Sequence, residues 1–160
     1  MKNTIKTLRQ LALGTGLVMG LVAGTASIAV ADTAYIVPGN MCQSRYGDDA
    51  WHLTHNAFEA DSAAYGFCPM VRHENSGTLG AVNVRVYNPT TSRLTCSLVT
   101  SNGYGGNEDY IQKYTTSTGF VSLSSDGSQL NASNAGYHCV QCYLPTDGAS
   151  IEGIKYVEVP

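Results

Sequence analysis

The stretch that decides the fold is Ala81-Val82-Asn83-Val84-Arg85-Val86-Tyr87, in which valine recurs at every second position. Successive side chains of a β-strand point to opposite faces, so the three valines share one face and Asn83, Arg85 and Tyr87 share the other. Arg93–Val99 alternates in the same way after the turn residues Asn88-Pro89-Thr90. These two segments predict a pair of antiparallel strands joined as a hairpin.

Short runs of this kind continue in both directions, separated by clusters of Gly, Asn, Asp, Ser and Pro. No segment has the pattern of an amphipathic helix of three turns. We therefore predict an all-β fold, an antiparallel two-sheet sandwich of jelly-roll or immunoglobulin-like kind with about eight strands. The other strand candidates are Ala34–Val37, Trp51–Phe58, Phe67–Arg72, Tyr110–Thr116, Phe120–Leu123, Tyr137–Leu144 and Ile151–Val159.

Residues 51–58 are the ambiguous segment. Trp51, Thr54 and Phe58 have helical spacing, whereas Trp51, Leu53, His55 and Ala57 would share one face of a strand. We favour a strand because the flanking segments are β and no good helix cap precedes Trp51.

Residues 1–31 have the organisation of a cleaved secretory signal peptide. Lys2, Lys6 and Arg9 precede an uncharged apolar stretch, and Ala29-Val30-Ala31 forms a small-x-small cleavage site. The alternative is a membrane anchor, since Leu11–Ala31 is just long enough to span a bilayer. The Gly, Thr and Ser content favours cleavage, which leaves residues 32–160 as a single exported domain, extracellular or periplasmic.

Charge narrows the partners of that domain. Residues 32–160 keep six Lys+Arg and all twelve Asp+Glu, a net charge of −6. So few cations exclude a nucleic-acid-binding patch and disfavour acidic lipid. Neutral polysaccharide, cations and protein surfaces remain as partners, and no cofactor motif is present.

The chain has five cysteines, which in an exported protein are expected to form disulfides and leave one thiol over. Strand alternation places Cys96 and Cys142 with apolar neighbours, whereas Cys139 shares its face with Tyr137, Gln141 and Tyr143. The predicted framework is Cys42, Cys68, Cys96 and Cys142, with connectivity undetermined and Cys139 as the candidate odd thiol.

Metal sites are disfavoured. His52-x-x-His55 with Cys139-x-x-Cys142 has formal zinc ligands, but an oxidising compartment and strand-like flanks oppose that site. The loop 102–109 offers Asn107, Glu108 and Asp109 as oxygen ligands for Ca²⁺ without matching the twelve-residue calcium loop. We predict no metal, with this loop as the one weak Ca²⁺ candidate.

Catalysis is also disfavoured. The sequence has no Gly-x-Ser-x-Gly elbow. The adjacent acids Glu59 with Asp61, and Glu108 with Asp109, are typical of solvated turns rather than of a glycosidase pair. A secreted hydrolase would need His52, His55, Glu59 or Glu108 to converge in a pocket.

Ten tyrosines and a single tryptophan form the remaining unusual feature. Aromatic rings exposed on a sheet can stack on sugars or anchor a protein interface. The candidate binding residues are Trp51, Tyr104, Tyr137 and Tyr143.

Four segments give the chain a resemblance to small secreted bacterial β-sandwich proteins of uncharacterised function. They are Cys68-Pro69, Val82–Tyr87, Thr95-Cys96-Ser97-Leu98 and Tyr137 followed by Cys142-Tyr143-Leu144-Pro145. The resemblance implies export and a β fold, and it implies no activity or site.

The sequence as a whole predicts an exported, non-catalytic structural or interaction module. It could be a subunit of an extracellular assembly, because the strand Thr33–Val37 has few local partners and could pair with a neighbour's sheet. The alternatives are a carbohydrate-binding module that uses exposed Tyr and Trp, and a secreted hydrolase.

Overall fold

The computed structural model describes residues 33–45, 51–71, 78–101, 107–130 and 137–159. The predicted signal segment, residues 1–31, lies outside these ranges. The described residues form two antiparallel sheets with eleven strands in all, so the predicted two-sheet all-β fold is confirmed and the strand count is higher than expected.

The six-stranded sheet has the order β3-β4-β11-β6-β9, and β1 also pairs with β11 beside β4. Its strands are β1 (Thr33–Pro38), β3 (Trp51–Leu53), β4 (Phe58–Ala60), β6 (Thr78–Asn88), β9 (Gly119–Asp126) and β11 (Ser150–Val159).

The five-stranded sheet has the order β2-β5-β10-β7-β8. Its strands are β2 (Gln43–Ser44), β5 (Ala64–Met70), β7 (Leu94–Ser101), β8 (Asn107–Thr115) and β10 (Tyr137–Leu144). Two short 3-10 turns, Gly39–Met41 and Gly127–Gln129, are the only helical segments in the described part of the chain. Neither is long or apolar enough to span a membrane.

The core lies between the inner faces of the two sheets. The predicted alternation is observed, because Val82, Val84 and Val86 of β6 are buried. The other sheet contributes Leu94, Cys96, Leu98, Val140, Cys142 and Leu144 to the same core. Each of these side chains removes apolar surface from water, and that burial is the main force holding the sheets together.

The predicted hairpin between residues 81–87 and 93–99 is wrong. Strand β6 pairs with β11 and β9, whereas β7 pairs with β10 and β8, so the connection crosses from one sheet to the other. The two apolar faces meet across the core instead of lying side by side. Alternation in the sequence indicates which face of a strand is buried. A hairpin within one sheet and two strands in opposite sheets bury the same residues, so the pattern does not distinguish them.

Residues 51–58 do not form one strand. Trp51–Leu53 and Phe58–Ala60 are two short strands paired with each other around a tight turn. Thr54 closes the turn, since its amide donates to the carbonyl oxygen of Ala57 (3.0 Å) and its hydroxyl accepts from the Ala57 amide (3.2 Å). A threonine side chain that bonds the nearby backbone favours such a turn over a continuous strand.

The expectation that Thr33–Val37 lacks local partners is also wrong. Strand β1 pairs along its whole length with β11, from Thr33 opposite Glu158 to Pro38 opposite Gly153. Tyr35 stacks on the buried Tyr156 with ring centroids 5.3 Å apart, which anchors β1 to the sheet.

Disulfides join Cys42 to Cys68 and Cys96 to Cys142, and Cys139 is a buried free thiol. Both bridges lie within or beside the five-stranded sheet. Cys42 immediately precedes β2 and bonds to β5, while Cys96 and Cys142 link β7 to β10. The sheet that carries the candidate site is therefore the covalently braced one.

Candidate functional site on the outer face of the five-stranded sheet

A row of aromatic side chains crosses the outer face of the five-stranded sheet. Tyr65 lies opposite Tyr143, Tyr143 opposite Thr95, and Thr95 opposite Tyr114. Arg45 extends the row at the β2 side, since its amide donates to the carbonyl oxygen of Tyr65 (3.0 Å). The other four residues of the row each lie on a different strand, so they come together only when the sheet is complete.

Amide side chains form a second row beside the first. Gln141 lies opposite Ser97, and Ser97 lies opposite Gln112. Gln43 and Gln141 flank Phe67 from either side. Residues two apart on a strand share a face, so the amide row lies next to the aromatic row on the same surface.

Most residues of the two rows line a cavity of about 520 Å³, which we call the tyrosine cleft, and Tyr114 adjoins it beneath Arg93. That size is within the range of small-molecule binding sites. The lining residues are Arg45, Tyr65, Arg93, Thr95, Ser97, Gln112, Gln141 and Tyr143.

Side-chain contacts hold the aromatic rings of the cleft in place. Tyr65 and Tyr143 pack with centroids 5.0 Å apart in a tilted arrangement. The guanidinium of Arg93 lies over the ring of Tyr114, 4.0 Å from its centroid. Such contacts restrict the rings without removing them from solvent, and Tyr114 keeps 57% of its surface exposed.

Hydrogen bonds orient the amides of the cleft. Nη1 of Arg45 donates to Oε1 of Gln141 (2.5 Å), and Nε2 of Gln112 donates to Oγ of Ser97 (3.3 Å). Gln141 also covers the buried Cys139, with Nε2 3.9 Å from the sulfur. Amide groups fixed in this way present donors and acceptors in defined directions to a ligand.

A smaller hollow of about 330 Å³ adjoins the tyrosine cleft on the same face. Arg45 and Gln141 line both cavities, so this hydrogen-bonded pair forms the divide between them. Tyr137, one of the sequence-predicted binding residues, lines the smaller hollow and is partly exposed. Together the two neighbouring cavities form an indented surface that extends across several strands.

The sequence-predicted binding residues are not brought together as a set. Tyr143 lies in the tyrosine cleft and Tyr137 in the adjoining hollow. Trp51 belongs to the other sheet, half-buried against Phe58 at 5.0 Å between ring centroids. Tyr104 lies outside the described residues.

The weak Ca²⁺ candidate is described only in part. Asn107 and Glu108 begin β8, and their side chains lie outside the described residues. The Oδ1 atom of Asp109 accepts a hydrogen bond from the amide of Tyr110 (2.8 Å). No three His, Cys, Asp or Glu side chains within the described ranges are grouped to hold a metal ion.

Two residues of the hydrolase alternative, His52 and Glu59, lie on β3 and β4 of the six-stranded sheet, whereas the side chain of Glu108 lies outside the described residues. His52 contacts two carboxylates, with Nδ1 2.8 Å from Oδ1 of Asp61 and Nε2 3.7 Å from Oε2 of Glu59. His55 is exposed, and its carbonyl oxygen accepts from Asn40 (2.9 Å). The contacts of His52 within the described residues are with these two carboxylates, whereas acyl transfer pairs a histidine with a serine or cysteine.

Sequence reasoning missed Tyr65, Tyr114 and the arginines Arg45 and Arg93. Tyr114 could have been found from the sequence, because Tyr110, Gln112 and Tyr114 occupy every second position of a strand and therefore share one face. Tyr65 precedes the predicted start of its strand at Phe67, so alternation gave it no face. Arg45 lies just beyond β2, a strand that was not predicted, and Arg93 begins the predicted strand Arg93–Val99 without having been considered as a binding residue.

No known family model matches the chain, and no curated protein resembles it in sequence. Solved structures resemble its fold. The CBM36-1 domain of a multidomain xylanase from the hindgut metagenome of Trinervitermes trinervoides superposes with a TM-score of 0.50 at 10% identity, over 78% of this chain and 96% of that one. The low-affinity xylan-binding module CBM86 from Roseburia intestinalis superposes with a TM-score of 0.50 at 13% identity, over 78% of this chain and 94% of that one.

Proposed function

We propose that this chain is an exported, non-catalytic module that binds polysaccharide in the tyrosine cleft. The observation that carries the proposal is the row of tyrosines set beside a row of glutamines on one solvent-facing sheet surface. An aromatic face packs against the apolar face of a sugar ring, and fixed amides hydrogen-bond the hydroxyls around its rim.

The spacing of the aromatic row supports a ligand longer than one sugar. Tyr143 and Tyr114 are separated by two strand spacings, which is about 10 Å in an antiparallel sheet. Thr95 lies between these two tyrosines, and its smaller side chain leaves a depression in the surface there. A polymer lying across the strands would contact both tyrosines, whereas a single ring would reach one.

The fold neighbours support the same class of ligand. One is described as a domain of a xylanase and the other as a xylan-binding module. Resemblance at this level of identity speaks for the fold alone, so the ligand assignment depends on the cleft. The two disulfides are consistent with export, because such bonds persist in oxidising compartments.

The main sequence prediction, a structural module that is a subunit of an extracellular assembly, no longer has the observation that supported it. It relied on an unpartnered strand at Thr33–Val37, and that strand is hydrogen-bonded to β11 of its own chain. The polysaccharide proposal instead uses a surface that the fold builds from five strands.

The direct test is substitution of Tyr143, which is central to the row. We expect Tyr143→Ala to weaken binding to soluble xylan at least tenfold, the loss typical of a central aromatic contact. Affinity electrophoresis across a panel of neutral polysaccharides, followed by calorimetry on the best ligand, measures the effect. The panel is needed because xylan is one member of the proposed class.

Phe120→Ala is the matched control. Phe120 is an exposed ring on the outer face of the other sheet, and it packs in a tilted pair with Tyr87 at 5.0 Å, the same spacing as Tyr65 and Tyr143. Its loss should leave binding unchanged. Equal weakening by both variants, or no retardation of the parent protein by any polysaccharide, would contradict the proposal.

A further inference from the structure

The charge of the binding surface differs from that of the chain as a whole. The full sequence has twelve Asp+Glu against nine Lys+Arg. Arg45 and Arg93 line the tyrosine cleft, and no carboxylate is among its lining residues in the described part of the chain. The adjoining hollow shares Arg45, and the described residues that line it likewise include no Asp or Glu.

The other outer face provides a contrast within the same molecule. A hollow of about 470 Å³ on the six-stranded sheet is lined by Arg85 and Lys155, but also by Glu152. Opposite charges are mixed there, as on an ordinary protein surface. In the tyrosine cleft, by contrast, the described lining residues include two cations and no acid.

The two arginines approach the cleft from opposite sides, Arg45 from beside β2 and Arg93 from the start of β7. The guanidinium of Arg45 reaches Gln141 of β10 and that of Arg93 lies over Tyr114 of β8, so the strands they contact are two strand spacings or about 10 Å apart. The Cζ atom of Arg93 lies 4.0 Å from the centroid of the Tyr114 ring. The N–H donors of a guanidinium lie in its plane, where they match the paired oxygens of a carboxylate.

We propose that the tyrosine cleft selects polysaccharides that carry carboxylate groups, namely those containing uronic acid residues. This rests on the proposed function, since it names the ligand class of the same cleft. The tyrosines and glutamines hold the sugar rings, and Arg93 at one end and Arg45 at the other bind carboxylates borne by the chain. A protein with a net negative charge thereby binds an acidic polymer through the local positive charge of the tyrosine cleft.

The experiment compares polymers that differ only in charge. Glucuronoxylan and homogalacturonan are each used in native form and after reduction of the carboxyl groups to alcohols. We expect the parent protein to bind at least one native polymer about three- to tenfold more tightly than its reduced form at low ionic strength. The ratio should shrink as salt is raised, because the contribution is electrostatic.

Arg93→Gln should lower this ratio toward one, since it replaces the charged guanidinium with a shorter, neutral polar group. Arg85→Gln is the matched control, because Arg85 also lies over an aromatic ring, Phe120 at 4.9 Å, on the other sheet. It should leave the ratio unchanged. A ratio lowered equally by both variants would overturn the assignment to the cleft.

The remaining outcomes separate this proposal from the one on which it rests. Equal binding of native and reduced polymers would overturn uronic acid selection and leave polysaccharide binding standing. Binding of neither form, together with no retardation by the neutral panel, would overturn both.

Discussion

Strand alternation predicts the face of β10 on which Cys139 lies, but it does not predict that the side chain is buried there. It occupies an outward position of β10, between Pro69 and Val99 on the neighbouring strands, and only 1% of it is exposed. Burial raises the pKa of the Cys139 thiol, while its bond to Gln141 and the charge of Arg45 act in the opposite direction. Alternation along β10 gives the direction of the Cys139 side chain but not which neighbouring side chains cover it.

We predict that Cys139 is unreactive in the folded protein. Thiolate is the reactive form, and a raised pKa with little exposed surface keeps it scarce at neutral pH. Treatment with a thiol reagent at about pH 7.5 should modify no cysteine in native protein and one in denaturant, counted by mass spectrometry. Rapid modification of native protein would show that the sulfur is accessible.

At the scale of elements, alternation located the strands well and failed to assign them to sheets. The segments 81–87 and 93–99 are both strands, as predicted, yet they belong to opposite sheets. A buried face looks the same in sequence whichever sheet carries it, because both sheets face one core. The tyrosine cleft depends on that assignment, which explains why only Tyr143 and Tyr137 of its surface were predicted.

The turn after β1 gives a prediction for an element. Gly39 packs so closely on β11 that an added Cβ would lie 1.9 Å from the carbonyl oxygen of Ile151. Backbone cannot move aside cheaply, so Gly39→Ala should displace β1 and lower the free energy of unfolding by about 3 kcal/mol or more. Urea denaturation monitored by circular dichroism measures the loss.

Gly80→Ala serves as the comparison. The nearest atom to its added Cβ would be Cγ2 of Val159, 3.1 Å away at the end of a side chain. That side chain can shift, and the cost should stay below about 1 kcal/mol. Equal destabilisation by the two variants would mean that the close packing at Gly39 is not what fixes β1.

At the scale of the whole molecule, both disulfides brace the sheet that carries the tyrosine cleft. Cys42–Cys68 closes a separation of 26 residues and Cys96–Cys142 one of 46. Replacing either pair with alanine should cost about 2–4 kcal/mol of unfolding free energy. The Cys96–Cys142 pair should cost about 0.5 kcal/mol more, because it constrains a longer loop in the unfolded chain.

Urea denaturation of the two double variants under identical conditions gives this comparison, with four buried sulfur positions treated alike. An unchanged midpoint in either variant would show that its bridge does not constrain the unfolded state. The sequence predicted the four framework cysteines as a group. Connectivity needs the spatial order β2-β5-β10-β7, which spacing along the chain does not encode.

The pairing of β1 with β11 also sets an order of events in time. The first described strand finds its partner only when residues 153–158 are available, so synthesis must pass these residues before this sheet can close. A chain cut before Ser150 would leave β1, β4 and β6 without their common neighbour. Contacts this distant in sequence make folding slow and late.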